Sequence, residues 1–265
     1  MKTKYLIKEL EKHVASEALY LLKKYDCIVA GGAFTSILTN KEVNDIDVYF
    51  HTKEDFISCM EDVKSSGSWN SDDSCLGVFD LIYLGHSNKA VTFRQRYANC
   101  NIQFIHQGFY KHPLDVFADF DFTINMIAVT LKDEKKYLHK DAMQHLSQRI
   151  LVTDGGAKFP IMSVLRVDKY KQRGYSISKK EMLKLILACS GLNLTSYDEV
   201  LEHVGGMYGV NLDKIFDQEK DFSIVECIGQ LCKLESDPYM QFKNQGWNDF
   251  EKFVNELGDK ECVKF

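Results

Sequence analysis

The sequence predicts an α+β protein: a mixed sheet with helices, followed by an all-α C-terminal region. Three observations carry this. Short β-type runs, several alternating apolar and polar, crowd the first half of the chain. Those signals fade after about residue 150. Apolar residues at helical spacing recur from there on. The division expected is an α/β domain at 1–150 and a helical domain at 151–265.

The elements follow in order. Tyr5, Leu6, Leu10, Val14, Ala18, Leu21 and Leu22 predict helix over 4–24. Residues 26–30 read as a strand ended by Gly31-Gly32, 33–38 as a short helix, and 44–50 as a second strand. Phe56, Ile57 and Met60 mark a helix over 53–64, and the Ser/Gly/Asp-rich 65–74 reads as a loop. Strands are expected at 78–84, 90–94 and 101–106, the last two as a hairpin turning near Ala98-Asn99. A helix is expected from Thr123 onward, and further helices at 162–173, 178–189, 197–203, 222–233 and 248–257.

The bulk properties bound the function. With 45% hydrophobic and 27% charged residues the composition is that of an ordinary soluble globular protein. No apolar run approaches the roughly 20 residues of a membrane span, so no membrane partner and a cytoplasmic location are expected. The eight cysteines and eight histidines show no metal-ligand spacing, and the cysteines are expected as reduced thiols. A net charge of -5 argues against a generally basic nucleic-acid coat but leaves room for a local basic groove.

The stretch IVAGGAFTSILTNKEVNDIDVYF, residues 28–50, carries the chemistry. Burying a carboxylate is costly unless it is paired, hydrogen-bonded or metal-bound. Strand alternation puts Asp45 and Asp47 on one face, with Ile46 and Val48 turned into the core. Two such carboxylates can share divalent metal, and Mg²⁺ is typically held by one or two carboxylates plus substrate phosphates. Two ions about 3.5–4 Å apart can clamp the attacking and leaving oxygens of a phosphoryl displacement. Gly31 and Gly32 let backbone approach a ligand, and the helix start that follows offers N–H groups to phosphate. Thr35 and Ser36 could add hydroxyls.

With this spacing the chain resembles the polymerase-β-type nucleotidyltransferases, most of all the head domain of tRNA CCA-adding enzymes and bacterial poly(A) polymerases. Gly31-Gly32 with Asp45-Ile46-Asp47 is the first match, Asp121-Phe122-Thr123-Ile124-Asn125 the second, and the Leu165-to-Ile177 segment LRVDKYKQRGYSI the third. The resemblance implies a nucleotidyltransferase-type mixed sheet. It implies Asp45 and Asp47 as catalytic metal ligands for Mg²⁺, two ions being expected, and Asp121 as a further catalytic-site residue near the ribose. It implies nucleoside triphosphate binding by Gly31, Gly32, Thr35, Ser36, Asn125, Arg166 and Lys169. The residues allow a second role for Asp121, as the N-cap of a following helix.

The departures from the family bear on the substrate. Asp119-Phe120 stands where two arginines would precede DFTIN. Phe159-Pro160-Ile161-Met162-Ser163 stands where CCA-adding enzymes carry the motif that reads the base. Gln103 stands on the strand that often carries a third carboxylate, a role Asp115, Asp119 or Asp121 would have to fill. The function expected is Mg²⁺-dependent transfer of a nucleoside monophosphate from a triphosphate such as ATP to an acceptor hydroxyl, with pyrophosphate leaving. The first acceptor is an RNA 3′ end, as in RNA processing, which the basic run from Arg166 to Lys184 supports. The alternatives are a protein or small-molecule acceptor, or a catalytically silent nucleotide-binding module.

Overall fold

The computed structural model describes residues 2–68, 76–77, 79–87, 89–96, 98–155, 157–204, 221–236 and 246–259. The fold is α+β. Its contacts form two units, Met1–Phe117 with Ile127–Leu138 and Asn244–Phe265, and Ala118–Met126 with His139–Lys243.

The first unit opens with two helices, α1 (Thr3–Glu11) and α2 (Ser16–Lys24), in place of the single helix expected over 4–24. The break between them is held from far along the chain. The Gln95 side chain accepts from the Ala15 N–H at 2.8 Å and donates to the His13 carbonyl at 2.9 Å. Backbone groups that a continuous helix would have paired are thus satisfied by a side chain 80 residues away. Next come β1 (Ile28–Ala30), α3 (Gly32–Leu38), β2 (Asp45–Tyr49) and α4 (Lys53–Ser65), all close to their expected places. The Thr52 hydroxyl caps α4 by accepting from the Asp55 N–H at 3.0 Å.

Within the segment expected as a loop, β3 (Gly67–Ser68) pairs with β4 (Leu76–Gly77), and residues 69–75 lie outside the described ones. Then follow β5 (Leu81–His86), β6 (Ala90–Gln95) and β7 (Asn101–Ile105), with β6 and β7 forming the expected antiparallel hairpin. The helix expected from Thr123 is a correction. Only a 3₁₀ turn, Thr123–Asn125, forms there, and the chain continues as β8 (Ile127–Thr130) and β9 (Lys135–Leu138). Ile127, Ala128, Val129 and Thr130 are all buried, and β8 pairs with both β1 and β9. A short, fully buried apolar run has no readable period, so its neighbours decide its state.

Seven strands make one mixed sheet in the order β5-β6-β7-β2-β1-β8-β9, in which β2 and β7 run parallel and the other neighbours antiparallel. One face is apolar: Val29, Ile46, Val48, Phe93, Ile102 and Phe104 are fully buried. Among the helices of this unit, α10 (Trp247–Asp259) sets Phe250 against Tyr83 and Phe93 at ring centroids of 5.1 and 5.4 Å.

The second unit carries α5 (Ala142–Gln148), β10 (Ile150–Leu151), α6 (Pro160–Gln172), β11 (Ser176–Ile177), α7 (Lys179–Ser190), α8 (Tyr197–Val204) and α9 (Ile224–Ser236). Helices α6 to α9 stand near their expected places, whereas α5 was not expected and the two-residue parallel pair β10–β11 has no sequence signature. Pro160 starts α6, where its missing N–H costs nothing. Met162, Tyr197, Val200, Leu201 and Cys227 form a buried cluster in this unit. Among the described cysteines, Cys27, Cys59, Cys100, Cys189 and Cys227 are free thiols. No helix of the described residues is long and apolar enough to cross a membrane.

Candidate active site

The site face of the first unit is built by strand register. Asp45 and Asp47 are half-buried on β2, while Ile46 and Val48 between and beyond them are fully buried on the opposite face. Across β1, Ala30 pairs with Asp47, and Ala128 of β8 pairs with Ala30. Two methyl side chains, both fully buried, thus flank Asp47 on that side. Across β7, Asn101 pairs with Asp45 and Gln103 with Asp47. The Asn101 amide donates to Asp45 Oδ1 at 3.3 Å. An amide can donate or coordinate but carries no charge and is no base.

Gly31 sits at φ 100° and ψ -152°, a conformation closed to side-chain-bearing residues, and its N–H donates to the Ile127 carbonyl at 3.2 Å. This turn ends β1 and starts α3 at Gly32, so the chain passes directly from the row of Asp47 into a helix start. Thr35 and Ser36 lie on α3 and are buried. The structure therefore brings Gly31, Gly32, Thr35 and Ser36 into one unit with Asp45 and Asp47, and α3 packs on β2.

Asp121, Asn125 and Arg166 come together in the second unit. Asp121 is 3% exposed, forms an ion pair with Arg166, and accepts from the Ser163 hydroxyl at 2.8 Å. The guanidinium and hydroxyl supply what a buried carboxylate requires. The N-cap role for Asp121 is not realised: Phe122 occupies the cap position of the 3₁₀ turn, without a side-chain cap. Asn125 accepts from the Tyr170 hydroxyl at 2.8 Å, and burial pushes that hydroxyl's pKa up to about 12. Arg166 and Lys169 both lie on α6, but Arg166 is turned to Asp121 while Lys169 is exposed. Ser163 and Tyr170 are the residues that sequence reasoning missed, because their partners lie more than 40 positions away.

The places of the family departures are occupied by packing. Ser163 serves Asp121, and Met162 lies in the apolar cluster with Tyr197 and Val200. Asp119 pairs with Lys158 at 2.6 Å.

A Mg²⁺ ion that arrives with a nucleotide needs one or two carboxylates and takes further oxygens from phosphate and water. Asp45 and Asp47 fit that donor set. Among the described residues, no group of three or more His, Cys, Asp and Glu could hold a metal by itself.

Comparison with solved structures shows the fold. A CCA-adding enzyme in complex with CTP matches 88% of this chain and 54% of its own at 14% sequence identity, with a TM-score of 0.50. The Thermotoga maritima CCA-adding enzyme complexed with tRNA matches 88% of this chain and 55% of its own at 14% identity, with a TM-score of 0.47. The fold is similar to that of CCA-adding enzymes, the family that the sequence motifs resemble. Among curated proteins, "Gabija anti-defense 2" of Bacillus phage SPbetaL7 is 35% identical over 253 residues. That match covers 94% of this chain but 60% of the relative, so the chain spans well under the relative's full length. Residues 1–149 match the family described as Gabija anti-defense 2 family protein, and the chain belongs to that family.

Proposed function

We propose that the chain is a Mg²⁺-dependent nucleotidyltransferase that moves a nucleoside monophosphate from a triphosphate to an acceptor hydroxyl, with pyrophosphate leaving. The observation that supports this most is the pair Asp45 and Asp47 on one half-buried strand face, one strand from the Gly31 turn. Asp45 and Asp47 would hold Mg²⁺ brought in with a triphosphate, and the metal would neutralise phosphate charge and polarise the α-phosphorus. The chain's own residues supply the remainder. Asp45 and Asp47 hold charge opposite the phosphates. The Gly31-Gly32 turn would admit the polyphosphate close to backbone. Gln103 beside Asp47 cannot take the acceptor's proton, so catalysis rests on positioning and charge neutralisation.

The acceptor favoured is an RNA 3′-hydroxyl. The supporting feature is a cluster of exposed lysines, Lys169, Lys171, Lys179, Lys180 and Lys184, on α6 and α7, which suits a phosphate backbone. Family membership favours a second acceptor. The relative's name states an action against Gabija defence, and transfer of a nucleotide to a protein hydroxyl of such a system would disable it directly.

The test is incubation of the protein with each α-labelled triphosphate and Mg²⁺, once with cellular RNA and once with Gabija defence proteins. Label in RNA, absent with Asp45→Asn/Asp47→Asn, establishes the first acceptor. Label on protein establishes the second. Failure of every triphosphate to release pyrophosphate with either acceptor contradicts the transfer reading.

A further inference from the structure

The face that carries Asp45 also carries an arginine. Asp45 pairs with Asn101 on β7, and Asn101 pairs with Arg94 on β6. Residues paired across a ladder project from the same face of the sheet. At a strand spacing of about 4.8 Å, the Arg94 and Asp45 backbones stand about 10 Å apart along one transverse row. The neighbours of Arg94 confirm its direction. Phe93 and Gln95 are 0% and 2% exposed on the apolar face, where Gln95 ties down the α1–α2 break, whereas Arg94 itself is exposed. The adjoining row, Asp47-Gln103-Thr92, has only neutral groups on β7 and β6.

We propose that Arg94 binds the terminal phosphates of the nucleotide held at Asp45 and Asp47. The row presents a carboxylate at one end, a neutral amide in the middle and a guanidinium at the other. A ligand complementary to it is anionic along its length and carries a cation at the carboxylate end. A metal-bound triphosphate has that pattern, and a monophosphate is too short for it. The guanidinium fork matches phosphate oxygens two at a time. This assignment rests on the nucleotide-site reading above.

The experiment is calorimetry in Mg²⁺ with the four ribonucleoside triphosphates and the four monophosphates, on the wild-type chain, Arg94→Ala and Arg94→Lys. Arg94→Ala should weaken triphosphate binding about tenfold or more while leaving monophosphate binding unchanged, and Arg94→Lys should recover part of the loss. An unchanged triphosphate affinity in Arg94→Ala, or an equal loss for mono- and triphosphates, overturns the Arg94 assignment alone. A wild-type chain that binds no triphosphate overturns the nucleotide site and the assignment with it. Arg94 is exposed on its strand, so circular dichroism of the variants should match the wild type.

Discussion

Two acidic motifs of this molecule sit in different surroundings. Asp45 and Asp47 lie half-buried on β2, with the neutral amides of Asn101 and Gln103 paired beside them on β7. Asp121 is buried, paired with Arg166 and hydrogen-bonded by Ser163. The neighbours of Asp45 and Asp47 on β7 bring no charge of their own. An aspartate enclosed by a cation and a hydroxyl has its charge compensated within the protein. The difference teaches that matching a family's motif residue does not settle its role, because the partners that surround the carboxylate do.

The comparison can be broken most directly at its two ends. Asp45→Asn/Asp47→Asn should lower nucleotide transfer by about a thousandfold or more, since it removes the charge opposite the phosphates. Its unfolding midpoint should stay within about 0.5 kcal/mol of wild type, as half-exposed positions allow. Arg166→Met should do the reverse in kind. It leaves Asp121 buried without its cation and should cost about 3 kcal/mol in a urea titration. A thermally indifferent Arg166→Met would mean that the Asp121 pair is not architectural.

A pH titration sharpens the contrast by isolating a third buried group. His106 is pulled down to about 4 by burial, and His86 is also lowered by burial, against the opposing pull of Asp249 and Glu256. In the unfolded chain these rings take up protons near the ordinary value of 6.5. The unfolded state therefore binds more protons between 6.5 and about 4. Stability from the neutral rings is complete above 6.5 and falls as pH drops through that window, by about 3 kcal/mol in total for His106. His106→Gln should flatten the profile, and a wild-type profile without slope there would contradict the burial of these rings. The smallest effect expected is that of Ser163→Ala, about 1.5 kcal/mol from one hydrogen bond to a carboxylate, measured by the same titration.

What could be read in the sequence was local. The i, i+2 spacing of Asp45 and Asp47 fixes their shared face, and the Gly31-Gly32 pair marks a turn, without any knowledge of the rest of the chain. Strands β1, β2, β5, β6 and β7 and most helices were legible for the same reason. What escaped was set by distant partners. Gln95 breaks the first helix at Ala15, β1 and β9 hold Ile127–Thr130 as a strand, and Ser163 finds Asp121 across 42 positions. Arg94 carried no local signal either; it joins the face of Asp45 only through two strand pairings.

The central claim is that Asp45 and Asp47, and not Asp121, carry metal-dependent chemistry on the triphosphate. Pyrophosphate release should be followed over a Mg²⁺ titration for the wild type, Asp45→Asn/Asp47→Asn and Asp121→Asn, each at a temperature where it is folded and with the acceptor that takes label. The account predicts Mg²⁺-dependent release by the wild type, none by the double variant, and release within about tenfold of wild type by Asp121→Asn, whose amide keeps one of the two acceptor oxygens that Arg166 and Ser163 use. Release by the double variant equal to wild type, or its loss in a folded Asp121→Asn alone, would contradict it.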